Sequence, residues 1–197
     1  MANMKTHPIK DLKKVDAFLK LVRTADDKYF VIAKFQLNTG LRVIDVLQRK
    51  VSDIFLPSGR IREYLTLKEQ KTNKEKDIKL NEELIQCLKK YVEKYRLPYD
   101  GFLFPGTKTK SHISYVQVWR VFKATANQLS LECFGTHSLR KTWGYFSYKK
   151  SQHNIGLIMA IYNHNSERDT LQMCIRDRVY TIISSCRDKI LHVEKCF

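Results

Sequence analysis

The chain has 197 residues, and 36 Lys and Arg against 20 Asp and Glu give it a formal net charge of +16 at pH 7 and a pI near 9.7. Hydrophobic residues make up 43% of the sequence, including two Trp, ten Tyr and ten Phe. That content excludes an intrinsically disordered chain. So large a positive surplus on a short chain favours a polyanionic partner, and nucleic acid is the first to expect. The alternative, a merely soluble basic protein, does not explain the excess.

The cysteine count and the N-terminal sequence indicate the cellular compartment in which the protein is expected. Five cysteines, an odd number, occur without a Cys-x-x-Cys pair or metal-ligand spacing, which fits a reducing cytoplasm. The N-terminus lacks the apolar core of a signal peptide, and no run approaches the ~20 apolar residues of a membrane span. We therefore expect a soluble, cytoplasmic protein with no membrane partner. Residues 1–197 are expected to form one mostly helical α+β domain with its own core.

Apolar spacing predicts two helices at the start of the chain. Residues 11–23 place apolar side chains at helical intervals. A second helix is predicted from about Asp26 to Asn38, because acidic residues suit a helix N-terminus and Gly40 is a natural stop.

Arg42 opens a third predicted helix, over residues 42–50, with Asp45 three residues further on. One interpretation is a local Arg–Asp ion pair of little energetic weight. The other is an arginine held by packing beneath Gly40 and presented to a phosphate as a bidentate donor. The residues alone leave both interpretations open.

The middle of the chain predicts a hairpin and two further helices. Residues 61–68 and 77–80 read as strands on either side of the basic segment EQKTNKEK. Asn81 is predicted to cap the next helix, with a buried stripe of four side chains: Leu84, Leu88, Tyr91 and Tyr95. After a basic loop at 107–110, Ser111 is predicted to begin another helix, whose aromatic residues are interpreted as core.

The stretch that follows carries the chemistry. Gly135-Thr136 is a good helix start, with Thr136 as the capping residue. His137 and Arg140 then lie three residues apart, on one face of the positive end of that helix. A helix N-terminus with an imidazole and a guanidinium is suited to binding a phosphate. The apolar run 155–161 leads to His164, a further donor that we expect to return to the same face.

Three motifs share an order with a known family: NTGLRVIDVLQRKVSDI at 38–54, HSLRKT at 137–142 and YNHNSERDTL at 162–171. Together they resemble the catalytic domain of tyrosine recombinases, the phage integrase family, over about residues 5–172. The resemblance implies that family's mostly helical fold with a small antiparallel sheet or hairpin. It also implies site-specific DNA recombination through a 3′-phosphotyrosyl intermediate, with no cofactor or metal. The implied partners are double-stranded DNA and further copies of the chain in a synaptic complex.

The resemblance gives roles to individual residues. Arg42 and Arg140 would clamp the two non-bridging phosphate oxygens, and His137 and His164 would add hydrogen bonds. His137 would also help to deprotonate the nucleophile, and Lys71 would protonate the leaving 5′ oxygen. Five further lysines are predicted to contact DNA: Lys74, Lys76, Lys108, Lys110 and Lys141.

The sequence departs from the family at the nucleophile. The family's tyrosine lies nine residues after the second histidine, and here that position is Met173, whose thioether cannot attack phosphorus as a phenolate can. The next tyrosine is Tyr180. Three of the five cysteines fall after Gln172, and MCIRDR resembles read-through of a sequencing adapter. We therefore expect residues 173–197 to be an atypical tail rather than the original C-terminus.

Two alternative functions remain open at this stage. The first is a catalytically inactive DNA-binding module of the same fold, which would keep the basic surface and the phosphate clamp. The second is a DNA-relaxing enzyme similar to type IB topoisomerases, which share the chemistry but act without sequence-specific synapsis.

Overall fold

The computed structural model describes residues 6–68, 75–106, 111–162 and 164–174, and helices predominate in it. None of the helices in these ranges is both long enough and apolar enough to cross a membrane. The chain divides into two compact units, Met1–Trp143 and Gly144–Phe197. The elements follow the chain in this order: α1 (Leu12–Ala25), α2 (Asp27–Thr39), α3 (Val43–Leu47), α4 (Val51–Ile54), β1 (Tyr64–Lys68), β2 (Glu75–Lys79), α5 (Glu82–Tyr95), α6 (Tyr115–Gln128), α7 (His137–Lys150), α8 (Ile155–Tyr162) and α9 (Glu167–Cys174).

Side-chain caps fix the ends of the first two helices, as their sequence predicts. The carboxylates of Asp11 and Asp26 accept hydrogen bonds from the N–H groups of Lys13 and Lys28, at 2.8 Å and 2.9 Å. Each bond satisfies a donor that has no partner within its own helix. Helix α2 ends at Gly40, whose φ of 67° lies in the left-handed region that glycine adopts with the least strain.

Aromatic and aliphatic side chains from α1, α2, α5 and α6 form the core of the first unit. The ring of Phe18 lies 5.5 Å from that of Phe122 and 5.1 Å from that of Phe134, measured between centroids. Phe18, Ile32 and Leu88 are among the fully buried side chains. This well-packed apolar core supports the loop after α2 and the start of α7.

The predicted hairpin is confirmed, but its first strand is shorter than predicted and its second strand begins two residues earlier. Strands β1 and β2 pair antiparallel, with Thr66 opposite Asp77 and Leu67 opposite Lys76. The hydroxyl of Thr66 donates to the Asp77 carboxylate at 2.7 Å. Asn81 caps α5 as predicted, because its side chain accepts from the Leu84 N–H at 2.9 Å.

Two predicted helices differ from the structure. The predicted third helix is too long, and the helix after the basic loop begins later than predicted. Helix α3 ends at Leu47, and α4 begins separately at Val51 because the Asp53 carboxylate accepts from the Lys50 N–H at 2.9 Å and starts a new turn. Helix α6 begins at Tyr115 rather than at Ser111, since Ser114 forms a capping box with Gln117.

Two aromatic residues predicted to be core are exposed. Tyr95 is 42% exposed and Trp119 is 41% exposed, whereas their helix neighbours Tyr91 and Phe122 are buried. Tyr95 lies in the last turn of α5 and packs its ring 4.9 Å from that of Tyr91. Helical spacing alone therefore predicts a wider buried face than either helix has.

Candidate active site

Arg140 lies in the first turn of α7 and is only 5% exposed. Its Nη1 donates a hydrogen bond to the carbonyl oxygen of Gly40 at 2.5 Å. A buried guanidinium must be paired with acceptors, because its charge is costly to remove from water. This bond joins α7 to the end of α2, across 100 residues of sequence.

Gly40 has a second reason to be glycine besides its positive φ. A Cβ placed on it would lie 2.4 Å from Cε3 of Trp143 and 2.7 Å from Cδ2. Such distances are well inside van der Waals contact. The indole of α7 therefore lies directly on the backbone that ends α2.

Arg42 lies two residues beyond this contact, at the N-cap position of α3, and its side chain is exposed. In the part of the chain that the structure describes, no ion pair joins Arg42 to Asp45. The interpretation as a local ion pair is thereby disfavoured. The arrangement leaves the guanidinium facing outward beside the loop that Arg140 anchors, as a phosphate donor would require.

His137 is the first residue of α7, and three positive charges act on it. As a residue it is exposed, yet partial desolvation of its ring lowers the pKa of the imidazole. The nearby charges of Arg140, Lys141 and Arg42 lower the pKa further. Burial and like charges both lower the pKa of the imidazole, so the direction of the shift does not depend on their relative size. His137 is therefore favoured in its neutral form, which can accept a proton.

The segment before α7 is held by contacts that the sequence did not suggest. The Thr136 hydroxyl lies 2.8 Å from the phenol oxygen of Tyr115, and the Ser138 hydroxyl accepts from the Gly135 N–H at 3.1 Å. Thr136 itself is buried. The capping role predicted for Thr136 stays a prediction, because its hydroxyl is engaged by Tyr115.

Lys141, predicted to contact DNA, has a partner within the first unit. Its ammonium donates to the carbonyl oxygen of Thr6 at 2.6 Å. The same N-terminal segment is held by two further bonds, from the Ile9 N–H to the Thr142 hydroxyl at 2.8 Å and from the His7 N–H to the Cys133 carbonyl at 3.0 Å. A contact between Lys141 and DNA stays a prediction, and it would compete with the bond to Thr6.

In the second unit, His164 follows α8 and is held from both sides. Its backbone N–H donates to the Met159 carbonyl at 3.0 Å, and its ring nitrogen Nδ1 lies 2.9 Å from the hydroxyl of Thr170 in α9. The Thr170 hydroxyl also reaches the Ser166 carbonyl at 3.3 Å. The imidazole therefore has a fixed Nδ1 contact on α9, the helix that also contains Met173.

The remaining predicted site residues are described in part or not at all. Position 173 lies on α9, one residue before the helix ends. Lys76 lies on β2, opposite Leu67. Five residues fall outside the described ranges, namely Lys71, Lys74, Lys108, Lys110 and Tyr180. Within the first unit, the charges of Arg42, Arg140 and Lys141 act on the His137 imidazole, and these four residues are called the positive group below. The catalytic roles given to these residues stay predictions.

With this geometry in place, comparison with known proteins gives the class. Residues 11–177 match the model of the phage integrase family, so the chain belongs to that family of tyrosine recombinases. Its mostly helical fold with a two-stranded antiparallel sheet is the fold of the solved tyrosine recombinases it resembles. The predicted family and fold class are confirmed.

Particular relatives are similar to different extents. A probable integrase/recombinase of Bacillus subtilis strain 168, YoeC, is 29% identical over 165 residues, which span 84% of this chain and 87% of that protein. The site-specific recombinase XerH bound to palindromic difH has a TM-score of 0.70 at 21% identity. A lambda integrase dimer bound to a COC′ core site has a TM-score of 0.67 at 18% identity. The match covers 93% and 90% of this chain, but only 53% of the XerH chain and 51% of the lambda integrase chain.

Proposed function

We propose that this chain is the catalytic domain of a site-specific recombinase, which cuts and rejoins DNA through a 3′-phosphotyrosyl intermediate. The observation that carries the proposal is the positive group at the junction of α2 and α7. There the buried Arg140 holds the Gly40 carbonyl, Arg42 faces outward two residues on, and His137 begins the helix. Paired N–H donors of this kind stabilise charge that develops on phosphate oxygens.

The reaction balances without a cofactor. A phenol loses its proton, and its oxygen attacks phosphorus while the bond to the 5′ oxygen breaks. The leaving 5′ oxygen takes up a proton, for which Lys71 is the proposed donor. The phosphotyrosyl ester keeps the energy of the broken bond, so that a 5′ hydroxyl can later attack it and restore the DNA.

The described residues support separate parts of this scheme. A neutral His137 can accept the nucleophile's proton, and the lowered pKa of its imidazole favours that form. Arg42 and Arg140 would bind the non-bridging oxygens. His164, whose Nδ1 contacts the Thr170 hydroxyl, would act on the phosphate through Nε2, which is a donor when the ring is protonated. DNA binding would draw on the +16 charge and on the five predicted DNA-contacting lysines.

The proposed partners are double-stranded DNA and, in a synaptic complex, further copies of this chain. The matched XerH and lambda integrase structures contain DNA, and the latter is a dimer. We further propose that residues 1–197 act as one catalytic domain and that the protein works in the cytoplasm, where its DNA substrate would lie.

A catalytically inactive DNA-binding module is the second candidate, and Met173 favours it. The thioether offers no hydroxyl for attack on phosphorus, so the chain as written should form no covalent adduct. Tyr180 is the alternative nucleophile. Attack by its hydroxyl would require the chain after Leu171 to extend outward and double back.

Covalent trapping tests the proposal directly. The substrate is a nicked suicide duplex made from the DNA that flanks the gene, and adducts are scored as shifted bands on a denaturing gel. We expect no band from the parent and a band from Met173→Tyr, with Met173→Phe as the control that adds the ring without the hydroxyl. A parent band that Tyr180→Phe removes would assign the nucleophile to Tyr180. Absence of a band from Met173→Tyr would favour the inactive module.

A further inference from the structure

Gln36 is a fully buried polar residue in the last turn of α2 that the proposed mechanism does not use. Its Nε2 lies 3.3 Å from the carbonyl oxygen of Leu41 and 3.4 Å from that of Thr136. A primary amide has two N–H donors, so one group can serve both carbonyls. The two carbonyls lie five and 100 residues further along the chain than Gln36.

The two carbonyls lie next to residues of the positive group. Leu41 directly precedes Arg42, and Thr136 directly precedes His137. The same two segments have other contacts, because the Gly40 carbonyl accepts from Arg140 of α7 and the Thr136 hydroxyl contacts Tyr115. Gln36 is the residue whose single amide contacts the two carbonyls that directly precede Arg42 and His137.

The amide oxygen of Gln36 indicates that a contribution to stability does not by itself explain why a glutamine occupies this position. Among the described residues, Oε1 of Gln36 is buried and has no hydrogen-bond partner. An unpaired buried acceptor destabilises a fold, whereas an unbranched apolar side chain of similar length would fill the same space without that loss. What an apolar side chain could not supply is the pair of N–H donors.

We propose that Gln36 is a positioning residue, whose amide bridges the Leu41 and Thr136 carbonyls and so fixes the spacing between Arg42 and His137. Its catalytic consequence rests on the proposed function, since the two side chains must meet the same phosphate. The bridge itself does not depend on that function. A shift of about 1 Å between groups that act on one phosphate is enough to slow such a reaction severely.

The test compares two substitutions in α2 of the full-length protein. Gln36→Met keeps the side-chain length and removes both donors. Ile32→Val trims a fully buried side chain one turn earlier in the same helix and serves as the control for lost packing. Thermal unfolding of both variants records the change in stability that each one causes.

The readout is the pKa of His137, followed by NMR titration of its imidazole signals. We expect the low pKa of the parent to rise toward 6.5 in Gln36→Met, because the bridge that holds Arg42 near the ring is lost. Ile32→Val should leave it unchanged. A pKa in Gln36→Met equal to that of the parent, or an equal rise in Ile32→Val, would overturn the proposal.

A kinetic measurement adds the consequence for catalysis. When combined with Met173→Tyr, Gln36→Met should slow adduct formation at saturating DNA by about tenfold or more, with little change in DNA affinity. An unchanged rate would contradict the positioning role. Failure of Met173→Tyr to form any adduct would instead count against the proposed function, while the NMR titration would still decide whether Gln36 forms the bridge.

Discussion

Two regions of the molecule carry the groups of the proposed reaction, and they differ in what holds them. At the junction of α2 and α7, Arg140 is buried against the Gly40 carbonyl, and Gln36 reaches both neighbouring segments. In the segment from α8 to α9, His164 is held by Thr170, but position 173 on the same helix carries a methionine. In the first region the sequence matches the family motifs, whereas in the second it departs from them at the position expected for the nucleophile.

The difference shows that the two functions depend on structure in different ways. The phosphate binding proposed for the first region would depend on long-range contacts with backbone carbonyls in the core of that unit. Nucleophilic attack depends on a single hydroxyl, and one substitution can remove it while the helix remains. A recombinase fold can therefore keep its phosphate donors after its chemistry is lost.

The largest expected effect concerns the two arginines. In Met173→Tyr protein, adding Arg42→Ala or Arg140→Ala should reduce adduct formation by about 10²-fold or more, because each removes a bidentate donor from the transition state. Lys20→Ala, an exposed cation of α1, is the control and should have little effect. Gel-scored trapping rates decide it, and a rate preserved in either arginine variant would remove that arginine from the site.

Lys71 should matter only when the leaving group needs a proton. With Met173→Tyr present, Lys71→Ala should slow cleavage of an ordinary phosphodiester by about 10²-fold or more. It should have little effect on a substrate whose leaving oxygen is replaced by sulfur, since a thiolate departs without a proton. Equal slowing of both substrates, measured side by side, would assign Lys71 to DNA binding instead.

A pair of glycines separates backbone strain from packing at the first region. Gly40 and Gly59 both have positive φ, but only at Gly40 would a Cβ clash, with the Trp143 ring. We expect Gly59→Ala to cost about 1–2 kcal/mol of unfolding free energy from backbone strain alone. Gly40→Ala should cost about 1–3 kcal/mol more, because the ring must move. Equal losses in urea unfolding would show that the Trp143 contact is not tight.

The smallest predicted effect is the pH dependence of stability contributed by His137. Its pKa is lower in the folded chain than the ordinary 6.5, so the unfolded chain binds more protons between those values. Its contribution is therefore fully present above pH 6.5 and is lost as the pH falls through the folded pKa. His137→Gln should lose less unfolding free energy than the parent between about pH 7.5 and about pH 5.5. Identical losses in urea titrations would contradict the lowered pKa.

The sequence predicted the parts of the fold that local signals determine. The stop of α2 at Gly40, the Asn81 cap and the hairpin each depend on residues within a few positions of one another. The three motifs also identified the family and the residues of the positive group. Helical spacing failed at Trp119 and Tyr95 because it cannot give the width of the neighbouring elements that cover a face.

The contacts that hold the site were beyond the reach of the sequence. Gln36 to Thr136 and Arg140 to Gly40 each join residues 100 positions apart, and Lys141 reaches Thr6 across 135. Nothing in local periodicity predicts such pairs. The available signal was the glutamine itself, a polar residue among the apolar side chains of α2.

The most direct test of the central claim, that the phosphate donors remain and only the nucleophilic hydroxyl is missing, is to map the DNA linkage in Met173→Tyr protein. The trapped adduct would be digested with trypsin, and the peptide that carries the nucleotide identified by mass spectrometry. We predict that the nucleotide is attached at position 173, and that the parent gives no such peptide. Attachment at Tyr180 or at any other native tyrosine would contradict the claim, as would an adduct formed by the parent.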